Sequence, residues 1–291
     1  MTLAAVEFQS NWLEIMQSPF MQHALIGGSL VAVAAGLLGY FVITRQNAFA
    51  AHALAHIGFP GATGAILIGV PVTLGLAVFC VGGGLLIGLF GRRVADREMA
   101  TGTILALATA LGVLFASLAS ANASTTTSVL FGNLLAISES QLLVYGVFTL
   151  AVVGTLAVLA RPLVFASVDP AVAEARGVPV RALGLAFVVL LALTITMAVQ
   201  VVGTLLLFAL VVTPAATALR ITARPIRVAL ISVALALGAV WGGLVLAAMV
   251  DLPPSFFIVS LAVTAWVVVL ALGGRRERRP AEPLVDAHHR H

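Results

Sequence analysis

Nine apolar runs follow one another along the chain, at 24–44, 48–69, 71–90, 100–118, 141–160, 182–201, 204–219, 228–249 and 255–273. Each approaches the ~20 residues an α-helix needs to cross a ~30 Å hydrocarbon core. The runs are continuous, not alternating, which argues against the strands of a membrane barrel. Between them lies no polar insert long enough to fold alone. Charged residues make up only 9% of the 291 residues, against roughly 25% in an average soluble domain. Such a chain lacks the charge to cover a water-facing surface, so soluble enzyme, disordered regulator and nucleic-acid binder are poor readings. The expected fold is an all-α polytopic membrane protein with about nine transmembrane helices. Eight is the alternative count, because the seventh run is short and reads as part of a broken or re-entrant helix.

The charges orient the chain. All 15 basic residues are Arg. Arg45 follows the first run, Arg92, Arg93 and Arg97 the third, and Arg161, Arg176 and Arg181 the fifth. Arg220, Arg224 and Arg227 follow the seventh run, and five more Arg follow the ninth. Nine crossings place every one on the same side, which the positive-inside rule makes cytoplasmic. The other side holds Glu7, Glu14, Glu139 and Asp251. The N-terminus is therefore expected outside and the C-terminus inside. Residues 1–23 read as an external segment, 24–273 as one transmembrane domain, and 274–291 as a disordered cytoplasmic tail that contains His288, His289 and His291. The first twenty residues carry two acids and no base, so no cleavable signal is expected. The single Cys80 permits no disulfide framework.

The absence of Lys removes the phosphate-binding GxxxxGK[ST] loop and Schiff-base chemistry. If the chain uses ATP, another chain must hydrolyse it, and the protein reads as a transport subunit, not an enzyme.

Three stretches carry candidate chemistry. In the first, Asn47 to Ala65, His52 and His56 lie four apart, on one helix face about one turn from each other. Two imidazoles at that spacing can share a transition metal. Pro60 cannot donate to the carbonyl of His56. Both His also suit a plainer role as interhelical hydrogen-bonding groups. In the second, Ser167 to Leu183, Asp169 suits an N-cap and Pro170 the first helical position. Gly177 suits a left-handed stop, and Pro179 prevents continuation. The result is a short capped cytoplasmic helix bearing Glu174 and Arg176. It reads either as an ordinary connector or as a coupling helix for an ATPase. In the third, Val201 to Arg220, Pro214 breaks a helix inside the membrane and deprives the Leu210 carbonyl of its donor. The stretch LFGNLLAIS, Leu130 to Ser138, reads as a short interfacial helix on the external side.

Taken in order, AHALAHIGFPGA, LFGNLLAIS, DPAVAEARGVPVRAL, VGTLLLFALVVTPAATA and DLPPSFFIVSLA resemble the permease subunits of metal-uptake ABC transporters of the zinc/manganese family. The resemblance runs from Pro19 to about Gly273. It implies a type II importer fold and a divalent metal, zinc or manganese, as transported substrate, with no permanently bound cofactor. It implies a second permease copy, cytoplasmic ATPase subunits and an extracytoplasmic metal-binding protein as partners, in a bacterial cytoplasmic membrane. Under it His52 and His56 are metal-contacting. Pro60, Gly61, Leu210 and Pro214 shape the route, and Asp169, Pro170, Glu174, Arg176 and Gly177 serve coupling. The family usually reads D-A-L-S-H-x-x-L-P-G here. This chain has His52 where Asp is typical and Ala55 where Ser is typical, which favours zinc or another late divalent metal over manganese. The alternatives are a metal-chelate permease and an ATPase-independent secondary transporter or channel. Against the latter, no carboxylate falls inside any of the nine runs. An intramembrane metalloenzyme is a poorer fit, since two His without a third strong ligand make a weak zinc site.

Overall fold

A computed structural model describes residues 11–90, 94–118, 132–204, 207–250 and 252–273. Among these residues the secondary structure is entirely helical. A short helix α1 (Trp12–Gln17) precedes α2 (Pro19–Thr44), α3 (Ala48–Ile68), α4 (Val72–Phe90) and α5 (Val94–Leu118). Then come α6 (Glu139–Val168), α7 (Pro170–Ala175), α8 (Val180–Val202), α9 (Leu207–Val211), α10 (Thr213–Ile221), α11 (Pro225–Val250) and α12 (Pro254–Leu272). Among the described residues, eight helices are long and apolar enough to cross a membrane: α2, α3, α4, α5, α6, α8, α11 and α12. The seventh apolar run does not form a ninth. It divides into α9 and α10, with Pro214 in the first turn of α10, where its missing N–H costs nothing.

Among the described residues, α9 and α10 together nevertheless lead the chain back across the bundle between α8 and α11. α2 and α11 are antiparallel: Gly28 meets Val240, and Gly36 meets the backbone of Val233. The start of α11, with Arg224 and Arg227, therefore lies beside the end of α2, with Arg45. Arg45 Nη1 donates to Ser167 Oγ at the end of α6, and its guanidinium lies over the Phe187 ring near the start of α8. At the opposite end, Thr73 at the start of α4 donates to Gln200 Oε1 near the end of α8. Gln141 at the start of α6 donates to the same oxygen. After α8 ends, the chain returns through α9 and α10 to Arg220, which lies over Trp266 near the end of α12. Arg45, Arg176, Arg181, Arg220, Arg224 and Arg227 thus share one end of the bundle, and Glu14 and Glu139 belong to the other.

Some boundaries differ from the hydropathy reading. α2 begins at Pro19, ahead of the apolar run. α6 continues through Arg161 and Pro162 to Val168, and it opens with a capping box. There Gln141 N–H donates to Ser138 Oγ, and Ser138 N–H donates to Gln141 Oε1. The described part of LFGNLLAIS is a single 3-10 turn, Leu134–Ala136. Leu134 in this turn and Ile137 just after it are buried against Gly28 and Gly27 of α2. Residues 1–10, 119–131, Asp251 and the tail 274–291 lie outside the described residues.

α2, α3 and α8 form the buried centre, while α5, α6 and α12 present most of their surface outward. Small residues let the central helices approach closely. A Cβ on Gly61 of α3 would collide with the Gly75 carbonyl oxygen of α4.

Candidate functional site

α3 carries the histidines. It begins just after Arg45 and Asn47, and Gly69 closes it in the left-handed conformation (φ 74°). At ~1.5 Å per residue, His56 lies about 12 Å along a helix about 31 Å long. The helix runs unbroken through Pro60, which is buried. Thr63 Oγ1 lies 3.1 Å from the Phe59 carbonyl oxygen and 3.3 Å from that of Gly112 in α5, so this turn is held against α5.

The His52 and His56 rings stand edge to face, with centroids 4.8 Å apart. Both are half-buried. Among the described residues no hydrogen bond reaches either imidazole. The Phe208 ring of α9 packs edge-on to His52 at 6.4 Å. Ala48, Phe49, His52 and Phe208 line a shallow groove on the outer face of this single chain. Among the described residues no three His, Cys, Asp or Glu side chains stand together as a metal-holding group. The two imidazoles thus stand as a pair at the edge of an open groove, without a third such side chain beside them among the described residues.

The sequence-predicted residues separate into distinct places. Gly61 faces α4 as a packing position, not the imidazole groove. Leu210 and Pro214 are buried at the junction of α9 and α10. The α9 side chain that meets His52 is Phe208, which the sequence reading passed over. A phenylalanine in an apolar run carries no signal of its own, and the helix break beside it was the only available pointer.

The loop after α6 forms the short helix that its residues predict. Val172 N–H donates to Asp169 Oδ1 at 3.0 Å, and Pro170 occupies the first turn of α7. At the other end Gly177 has φ 80°, its N–H donates to the Glu174 carbonyl, and Val178 N–H donates to that of Ala173. Ala173 is buried, whereas Val172, Glu174, Ala175 and Arg176 are exposed. The helix is thus anchored by one small side chain and offers the rest of its surface outward at the arginine end.

Residues 17–273 match the model of the ABC 3 transport family. The chain belongs to that family. This ABC 3 member is a multi-pass transport permease of the bacterial cytoplasmic membrane. It is 32% identical over 209 residues to the manganese transport system membrane protein MntC of Listeria innocua, covering 72% of this chain and 74% of that protein. It is 30% identical over 260 residues to the MntC protein of Halalkalibacterium halodurans, covering 88% of each. The fold is similar to that of PsaBC from Streptococcus pneumoniae, solved in complex with Fab. The TM-score is 0.80 at 26% identity, over 90% of this chain and 95% of that one.

Proposed function

We propose that this ABC 3 permease conducts a divalent transition metal ion inward past His52 and His56. ATPase subunits on separate chains, docked on α7, supply the energy, and an extracytoplasmic metal-binding protein delivers the ion. The reading rests above all on the edge-to-face imidazole pair, part-way across the bundle beside a broken helix. That the relatives are named manganese transport proteins supports a divalent metal as cargo. Two imidazoles and no carboxylate form a softer donor set than the family's usual Asp and His, which favours zinc or another late divalent ion. The groove containing His52 opens at the surface of the single chain. A second copy packed there by two-fold symmetry would bring a second imidazole pair and close the route from lipid.

Uptake of radioactive zinc and manganese by cells whose only metal importer is this system tests the reading. His52→Ala and His56→Ala, at unchanged membrane levels, are expected to lower uptake about tenfold or more, the scale on which loss of one metal-contacting group acts. Wild-type uptake in both single variants and in the double variant would exclude the pair from the route.

A further inference from the structure

A cavity of about 540 Å³ opens at the arginine end, between α3, α4 and α8 and against Pro170 at the start of α7. It is separate from the histidine groove. Asn47, Ala50 and Leu54 face it from α3, and at about 3.6 residues per turn they lie half a turn round the helix from His52 and His56. Three polar groups line it. The Arg45 guanidinium is held in place by Ser167 Oγ at 3.3 Å and by the Phe187 ring at 5.4 Å. Arg181 is exposed and makes no hydrogen bond or ion pair among the described residues. Asn47 stands at the N-cap of α3 but does not cap it; it is only 5% exposed, and its side-chain amide has no partner among the described residues. No carboxylate is among the lining residues. The remaining wall is apolar, with Leu54, Ile87, Val188 and Leu191. Leu89 both lines the cavity and is 62% exposed on the outer surface of α4, so the mouth opens on the side that faces lipid.

We infer that this cavity binds the phosphate headgroup of an acidic phospholipid from the leaflet at the arginine end. The lining carries two guanidiniums, which favour an anion over the transported cation. An Arg guanidinium offers five N–H donors in a fixed plane, a geometry that matches phosphate oxygens. The amide of Asn47, which has no partner among the described residues, supplies a further donor. The apolar wall running to Leu89 accommodates the first methylenes of an acyl chain, which a free phosphate would leave uncovered. Basic pockets between membrane helices are established sites for acidic headgroups. A lipid seated here touches α3, α4, α8 and the root of α7 together. It braces the helix bearing the histidines against the short helix at the bundle end.

The test uses the purified full-length chain in a neutral detergent, with phosphatidylglycerol, phosphatidylcholine or inorganic phosphate added. Native mass spectrometry counts bound lipid, and thermal melting reads stabilisation. Phosphatidylglycerol is expected to remain bound and to raise Tm in proportion to the logarithm of its concentration, with phosphatidylcholine and phosphate doing neither. Arg181→Gln, at an exposed position, is expected to leave the lipid-free Tm unchanged and to weaken phosphatidylglycerol binding about tenfold, the scale of one lost charge-assisted contact. Arg45→Gln is expected to weaken it further. Equal stabilisation by the two lipids, or undiminished phosphatidylglycerol binding in Arg181→Gln, would overturn the inference. Stabilisation by inorganic phosphate alone would overturn it in favour of a soluble anion. None of these outcomes depends on which ion the permease carries.

Discussion

His52 is one of two residues, with Ala55, at which this chain departs from its family's usual pattern. The structure places it at the lip of the groove, edge-on to both His56 and Phe208. A carboxylate there would bring a hard, charged ligand; the imidazole is neutral when it ligates and prefers later transition metals. Restoring the acid with His52→Asp is expected to retain transport and to shift the zinc-to-manganese uptake ratio toward manganese by about tenfold, comparable to the effect of one altered ligand contact. Competition between the two radioactive ions in the same cells measures that ratio. An unchanged ratio would show that position 52 does not choose the ion.

At the scale of the element, α7 is defined by its caps. Asp169 and Pro170 start it, and Gly177, at φ 80°, stops it. A short helix held at both ends transmits displacement that a loose loop would absorb. Replacing Gly177 by Val forces a β-branched side chain into the left-handed region, at a cost of roughly 1–3 kcal/mol. Glu174 is exposed on the outward face. Gly177→Val and Glu174→Arg are both expected to insert normally and yet to lose most ATP-driven uptake. Stimulation of the ATPase by permease and loaded binding protein should fall in parallel. Coupled uptake that persists after deletion of residues 170–176 would remove α7 from the energy pathway. α9 and α10 make the contrasting case, an element defined by its interruption. Val212 separates them, Pro214 opens the second helix, and the first carries Phe208 to His52.

At the scale of the whole molecule, charge divides the bundle into two chemically different ends. Arg45, Arg176, Arg181, Arg220, Arg224 and Arg227 gather at one end, while Glu14 and Glu139 belong to the other, where Gln200, Gln141 and Thr73 join three helices by hydrogen bonds. An acidic end without arginine suits a partner that arrives carrying cations. Glu139→Arg is expected to weaken capture of the loaded binding protein severalfold, to an extent that salt reduces. Assembly with the ATPase should be unaffected. Pull-down of each partner from reconstituted complexes distinguishes the two effects. Full-rate transport without any binding protein would refute the role of this face.

The all-helical membrane fold, the two-ended placement of charge, the caps of α7 and the one-turn spacing of the histidines were all legible in the chain. Each depends on residues close in sequence: length of an apolar run, turn chemistry, or helical periodicity. The break in the seventh run was legible from Pro214, though not its form as two short helices. What packing alone supplied is which helix face meets which neighbour. A membrane helix is apolar on its lipid side and its protein side alike, so the amphipathic pattern that reveals the inner face of a soluble helix is missing. Gly61 against Gly75, Phe208 against His52, and Arg45 with Arg181 across one cavity are pairings between separate helices. No local periodicity records them, because they follow from how closely small residues allow whole helices to approach.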